Sequence, residues 1–160
     1  MLREVKYDNA FLFMYSMREK THAHRNYVDD VPLEIKKARL QKMIDVFTET
    51  QRPLNQKELN QTHLLLIENT SKKDQNKWIG KTDNFKKAVV EKGKAPFLQN
   101  GSFEKMKEIE LGDYVVAQVE VAGARTLGCR PIAILSKLSD YSKFESKILE
   151  LRDKKAEQVC

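Results

Sequence analysis

Between residues 10 and 18 apolar side chains follow one another without a polar face. Phe11, Phe13 and Tyr15 fall on one side, Leu12 and Met14 on the other. This pattern predicts a strand buried on both faces, of the kind found in a parallel sheet covered by helices. Residues 17–27 are polar and predict a loop. Asp29, Asp30 and Pro32 are helix-start signals. Leu40, Met43, Ile44 and Phe47 then recur at i, i+3, i+4 and i+7, one apolar stripe of a helix running to about residue 51. Pro53 is expected to end it, and residues 52–61 read as a linker.

From residue 63 the period shortens. Five β candidates follow: 63–68, 77–81, 87–91, 114–122 and 126–135. The fourth places Val115, Ala117, Val119 and Val121 on one face. Gly112-Asp113 is a turn into that strand, and Gly123-Ala124 a hairpin out of it. Five short strands in this span predict a small closed barrel, an arrangement with few free edges. Residues 93–110 are expected to be a long mobile loop. In the tail, Tyr141, Phe144, Ile148 and Leu151 are spaced as on an amphipathic helix. The organisation expected is therefore 1–54, 55–135 and a terminal helix over 136–160.

The chain has 160 residues and a net charge of +6. Its length is too small for a complete α/β barrel. The charge is polarised: residues 72–94 hold eight lysines against three acids, and residues 95–120 two lysines against five acids. A polyanion would meet the basic stretch, although such lysines also solvate ordinary surfaces. The first residues, with Glu4 and Asp8, have the character of neither a signal nor a transit peptide. No apolar run approaches the ~20 residues of a membrane span. With two cysteines, Cys129 and Cys160, no disulfide framework is expected, and the chain reads as a soluble protein of a reducing compartment.

Candidate chemistry is sparse. His22 and His24 would share a face of a strand but lack a third metal ligand, and His63 has no partner in sequence. Cys129 reads as a buried small hydrophobe. There is no Gly-x-Ser-x-Gly elbow and no phosphate-binding glycine loop. Nucleic-acid binding is better supported. Lys72, Lys73, Lys77, Lys81, Lys86 and Lys87 are candidates for phosphate contacts, which give affinity and salt dependence. Trp78, among them, either stacks on a base or fills the barrel core.

Phe11 to Ala23, an aromatic strand followed by Ser16, Arg18, Thr21 and Ala23, resembles the signature that ends the radical-SAM domain of MiaB-type tRNA methylthiotransferases. Asp29-Asp30-Val31-Pro32 followed by Arg39-Leu40 is similar to the family's next helix. Gly80-Lys81-Thr82-Asp83, Gly112-Asp113 and Thr126-Leu127 resemble its C-terminal TRAM domain. The wording of residues 15–23 is most similar to the animal mitochondrial, kinase-regulatory-subunit-associated branch.

The resemblance implies the end of a partial α/β barrel, then an OB-like TRAM barrel that holds tRNA, in enzymes that methylthiolate a prenylated adenosine beside the anticodon. It implies S-adenosylmethionine and two [4Fe–4S] clusters for the whole enzyme, with Ser16, Arg18 and Thr21 at the mouth of the barrel as cofactor-binding candidates. An arginine there would pair with the methionyl carboxylate or tie down a loop. The family's arginine is Lys81 here, which keeps the charge and loses the planar fork. The six cluster cysteines of the family are absent, so this chain is expected to bind no cluster and to be inactive alone, as a C-terminal fragment. Residues 1–25 are then expected to be the least ordered. Mitochondrial residence follows by resemblance, cytoplasmic residence otherwise. The partner implied is tRNA; a second reading is a protein-interaction module working through residues 137–160.

Overall fold

The computed structural model describes residues 1–99 and 102–141. The chain divides into two units, Met1–Gln51 and Arg52–Cys160.

The first unit holds two short helices, α1 (Leu2–Val5) and α2 (His22–Asn26), and most of a long one, α3 (Leu33–Gln56). Residues 10–18, expected as a strand, form none. Every described strand lies beyond residue 61, so this apolar segment has no ladder to join, and Phe11 and Phe13 are exposed. The loop expected over 17–27 contains α2. Its N-cap is Thr21, whose hydroxyl accepts from the His24 N–H at 3.2 Å.

Helix α3 begins directly after Pro32, and Asp29 pairs with the Lys36 ammonium. It does not end before Pro53 but carries on through it to Gln56. A proline so close to a C-terminus removes one helical hydrogen bond and leaves the following turn intact. The expected linker is therefore helical up to Gln56.

The second unit is built on β1 (Thr62–Thr70), β2 (Lys77–Thr82), β3 (Lys87–Glu91), β4 (Lys94–Gln99), β5 (Ser102–Glu108), β6 (Tyr114–Ala122) and β7 (Leu127–Leu135). β3, β2, β1, β6 and β7 follow one another as antiparallel neighbours. A parallel pairing of β3 with β7, Ala88 to Leu127 through Val90 to Cys129, closes them into a five-stranded barrel. These are the five strands the alternation predicts. Inward residues fill the barrel: Leu65, Ile67, Ala88, Val90, Val115, Ala117, Val119, Leu127 and Ile134 are almost wholly buried. Losing one of the larger of them to alanine costs about 2–5 kcal/mol.

The expected mobile loop over 93–110 is instead a hairpin. β4 and β5 pair antiparallel, and β4 joins β7 in parallel through Phe97–Ile134 and Leu98–Leu135. The hairpin helps bury a second cluster, Leu98, Val116, Ile132, Ala133 and Leu135, which explains why β7 is apolar on both faces near its end. Pro131 lies between the segment of β7 that pairs with β3 and the segment that pairs with β4, so that edge of β7 has no ladder at the proline, while its other edge faces Ala117 of β6. A bulge between Val119 and Val121 flips the alternation of β6. Ala122 consequently packs on the core, and Val121, expected on the buried face, is exposed.

Among the described residues no helix is long and apolar enough to cross a membrane. The helix expected over 136–160 lies largely outside the described residues. Of its stripe only Tyr141 is described, and it packs half-buried against the second cluster.

Candidate nucleic-acid interface

The lysine-rich stretch forms the β2–β3 ribbon and its two flanking turns. Strand parity sorts its side chains. Gly80, Thr82, Ala88 and Val90 point inward and are buried; Lys77, Ile79, Lys81, Lys87, Val89 and Glu91 line the outer face. Gly80 is required inside, because a Cβ there would lie 2.3 Å from the Leu66 carbonyl oxygen.

The expected phosphate-binding lysines separate into two groups. Lys72, Lys73 and Lys87 are exposed and Lys81 is half-buried, and none of the four has a carboxylate partner among the described residues. Lys77 is engaged with Asp74 at 3.6 Å and Glu91 at 4.0 Å. Lys86 departs furthest from expectation. Its residue is 3% exposed, its ammonium donates to Asn55 Oδ1 at 3.3 Å, and it lies 3.7 Å from Glu58. It faces the interior and is neutralised there, so it is a structural tie and not a phosphate contact.

Trp78 packs on the barrel core, donates its indole N–H to the Ile109 carbonyl at 3.1 Å and carries the Lys92 ammonium 4.3 Å from its ring. Of the two readings of this residue, core filling is the one its contacts support.

Sequence reasoning missed the network that holds the β2–β3 turn. His63 Nδ1 meets Asp83 Oδ1 at 2.8 Å and its Nε2 meets Glu58 Oε2 at 2.8 Å. Asn84 Nδ2 donates to the other Glu58 oxygen at 3.0 Å. Asn55, 1% exposed, accepts from Lys86 and donates to the Gly123 carbonyl at 2.9 Å. The turn is further closed by Thr82: its backbone N–H donates to the Lys86 carbonyl at 2.9 Å, and its hydroxyl accepts from the Lys86 N–H at 2.8 Å. Buried groups left unpaired would cost about 1–3 kcal/mol each, so this web fixes the turn's shape. Only the presence of Glu58, His63 and Asp83 was visible in the sequence; their meeting depends on the barrel.

The remaining candidates lie in the first unit. Ser16, Arg18 and Thr21 are exposed. Thr21 donates to the Arg18 carbonyl at 2.8 Å and caps α2, a local structural use of the hydroxyl. An apolar cleft of about 440 Å³ lies in the same unit, lined by residues including Met14, Tyr15, Leu40 and Met43, and none of Ser16, Arg18 and Thr21 lines it. His22 and His24 sit two apart on a helix, which turns them to different sides.

An iron–sulfur cluster does not fit the residues present. Such clusters are held by cysteine thiolates. The chain has two cysteines, and burial pushes the Cys129 thiol up to about 12, with Glu120 adding to the shift, so it resists becoming a thiolate. Among the described residues no group of three or more His, Cys, Asp or Glu side chains is arranged to hold a metal ion; Glu58, His63 and Asp83 meet, but they hydrogen-bond one another.

What the fold and surface define is a small closed barrel whose β2–β3 ribbon and flanking turns carry four lysines without carboxylate partners among the described residues. Comparison with known proteins adds the lineage. No protein-family model matches the chain. A CDK5RAP1-like protein of Oryza sativa is 34% identical over 92% of the chain, which spans 24% of that protein. The mitochondrial tRNA methylthiotransferase CDK5RAP1 of Homo sapiens is 35% identical over 79% of the chain and 21% of its own length. A tRNA-2-methylthio-N(6)-dimethylallyladenosine synthase of Porphyromonas gingivalis is 32% identical over 79% of the chain and 24% of its own length. The chain is therefore a homologue of the MiaB-type tRNA methylthiotransferases, and it spans about a quarter of the length of the curated relatives it matches.

Proposed function

We propose that this chain is the tRNA-binding, C-terminal portion of a mitochondrial tRNA methylthiotransferase. Residues 55–135 are its TRAM domain, and residues 1–54 the end of its radical-SAM domain. The observation that carries the reading is the set Lys72, Lys73, Lys81 and Lys87, outward-facing cations without acid partners on a closed barrel, in a chain homologous to tRNA-modifying enzymes. Lys72 and Lys73 flank one end of β2 and Lys81 and Lys87 lie near the other, roughly 17 Å away at 3.3 Å per residue. A polyanion strand running along the ribbon would meet both ends.

The chemistry of methylthiolation belongs to the whole enzyme, with its clusters and S-adenosylmethionine. This chain, lacking the ligands, is inactive alone. Purified chain treated with iron and sulfide should not cleave S-adenosylmethionine; cleavage would sink that part of the reading. The binding role is tested by titrating tRNA at several salt concentrations. Each phosphate contact contributes about 0.7–0.9 to the slope of log K against log salt. Changing Lys72, Lys73, Lys81 and Lys87 together to Glu should abolish binding while the barrel still unfolds at its usual temperature. Salt-independent binding by the unmodified chain would refute the role.

A further inference from the structure

The turn between β2 and β3 contains an oddity that the lysines do not explain. Phe85 adopts φ 63°, in the left-handed region, yet it is a bulky residue with 51% of its surface exposed. Glycine or asparagine occupies that backbone region with less strain, and a large side chain held there is an outlier that calls for a reason. The surrounding web over-determines the conformation: the Phe85 N–H donates to the Thr82 carbonyl at 2.8 Å, Thr82 braces Lys86, and Lys86 is anchored on Asn55 and Glu58. The result is an aromatic ring held out on a rigid turn.

The charges beside it are unusual as well. Lys81 and Lys87 are direct cross-strand partners on the outer face, an arrangement of like charges that is unfavourable without an anion between or above them. The Lys81 ammonium lies 3.9 Å from the centre of the Phe85 ring. An exposed ring next to two unneutralised cations is the combination that grips a single-stranded nucleotide: a base stacks on the ring and its neighbouring phosphates meet the cations.

We infer that Phe85, with Lys81 and Lys87, forms a stacking site for an unpaired base of RNA. This rests on the tRNA-binding reading and moves the aromatic role from Trp78, which is engaged with the core, to a residue on the turn. A duplex, whose bases are already stacked, would meet the cations and leave the ring unused.

The test compares full-length chain and variants by fluorescence anisotropy against a labelled oligouridylate and an RNA duplex of the same length. Phe85→Ala should weaken oligouridylate binding about 5- to 150-fold, the range for one lost base stack. It should leave both the salt slope and the duplex affinity unchanged. Phe85→Trp should bind at least as tightly as the unmodified chain. Phe85→Gly separates the site from the fold: it relieves the backbone and should raise the melting temperature, yet bind oligouridylate as poorly as the alanine variant. Unaltered oligouridylate affinity in Phe85→Ala or Phe85→Gly overturns the stacking site while leaving lysine-driven binding in place. Equal losses for oligouridylate and duplex overturn it too. An unmodified chain that binds neither RNA overturns this inference together with the reading beneath it.

Discussion

Lys86 and Lys87 are adjacent in sequence and carry the same charge, and the structure gives them opposite work. Replacing Lys86 by Met keeps the length and apolar stem of the side chain and removes only the ammonium. Asn55 Oδ1, in a residue 1% exposed, then loses its Lys86 donor, and Glu58 loses a cation 3.7 Å away. Breaking a buried pair from one side costs about 3–5 kcal/mol. Glu58 keeps His63 at 2.8 Å and Asn84 at 3.0 Å, which brings the expected loss down to about 2–3 kcal/mol. For a unit of about this size each kcal/mol moves the melting temperature about 4 °C, so a fall of roughly 10 °C is expected. The salt slope of RNA binding, measured well below the transition, should not change. Lys87→Met should do the reverse, leaving the melting temperature undiminished, since it relieves the like-charge pair with Lys81, and lowering the slope by about 0.7–0.9. Lys86→Glu would set a second carboxylate beside Glu58 and unfold the turn, so lost binding in that variant says nothing about phosphate. A Lys86→Met chain with undiminished thermal stability and a shallower salt slope would refute the assignment.

Other outcomes follow from the same geometry. Gly80→Ala should destabilise the barrel by about 2–3 kcal/mol in urea unfolding, because the new Cβ meets the rigid Leu66 carbonyl at 2.3 Å and β1 and β2 must part; a neutral substitution would contradict that close approach. Burial holds the Cys129 thiol near 12 against an ordinary 9.0, so with Cys160 changed to Ser the native chain should resist iodoacetamide at pH 8 and react once unfolded. The same shift favours the neutral thiol in the folded state. The stability it contributes is complete below pH 9 and is lost as the pH rises from 9 towards 12, which an alkaline series of unfolding curves would follow.

The barrel was legible because its strands are half-buried and alternate. The hairpin of β4 and β5 was not. β5, Ser102–Glu108, is an edge strand with exposed Glu104, Lys105 and Glu108, and charges that keep an edge from pairing with another chain also make it read as a loop. The segment 10–18 failed in the opposite direction: it has strand composition, but a strand exists only with a neighbour, and no partner strand is found before residue 62. Pro53 misled because its cost depends on position, small in the last turn of a helix and large in the middle.

The site shows the same division between parity and contact. Ala88 and Val90 are the inward residues of β3, and counting back by two from them reaches Lys86, whereas Lys87 falls on the outer face with Val89. The alternation therefore already marked one lysine of the pair as inward-facing, and an inward ammonium must find partners or abandon its charge. What the alternation did not hold was the identity of those partners. Asn55 and Glu58 lie about thirty residues earlier, the first in the last turn of a helix that the proline was expected to have stopped and the second in the turn just beyond it. Phe85 was hidden for a related reason: local preference speaks against a phenylalanine in a left-handed turn, and the web of Thr82, Lys86 and Asn55, formed across the fold, overrides it. A ring kept exposed against both its backbone preference and its hydrophobicity is held there by long-range contacts, and the two lysines beside it, neither with a carboxylate partner among the described residues, make an aromatic, anionic ligand the chemistry that suits the position best.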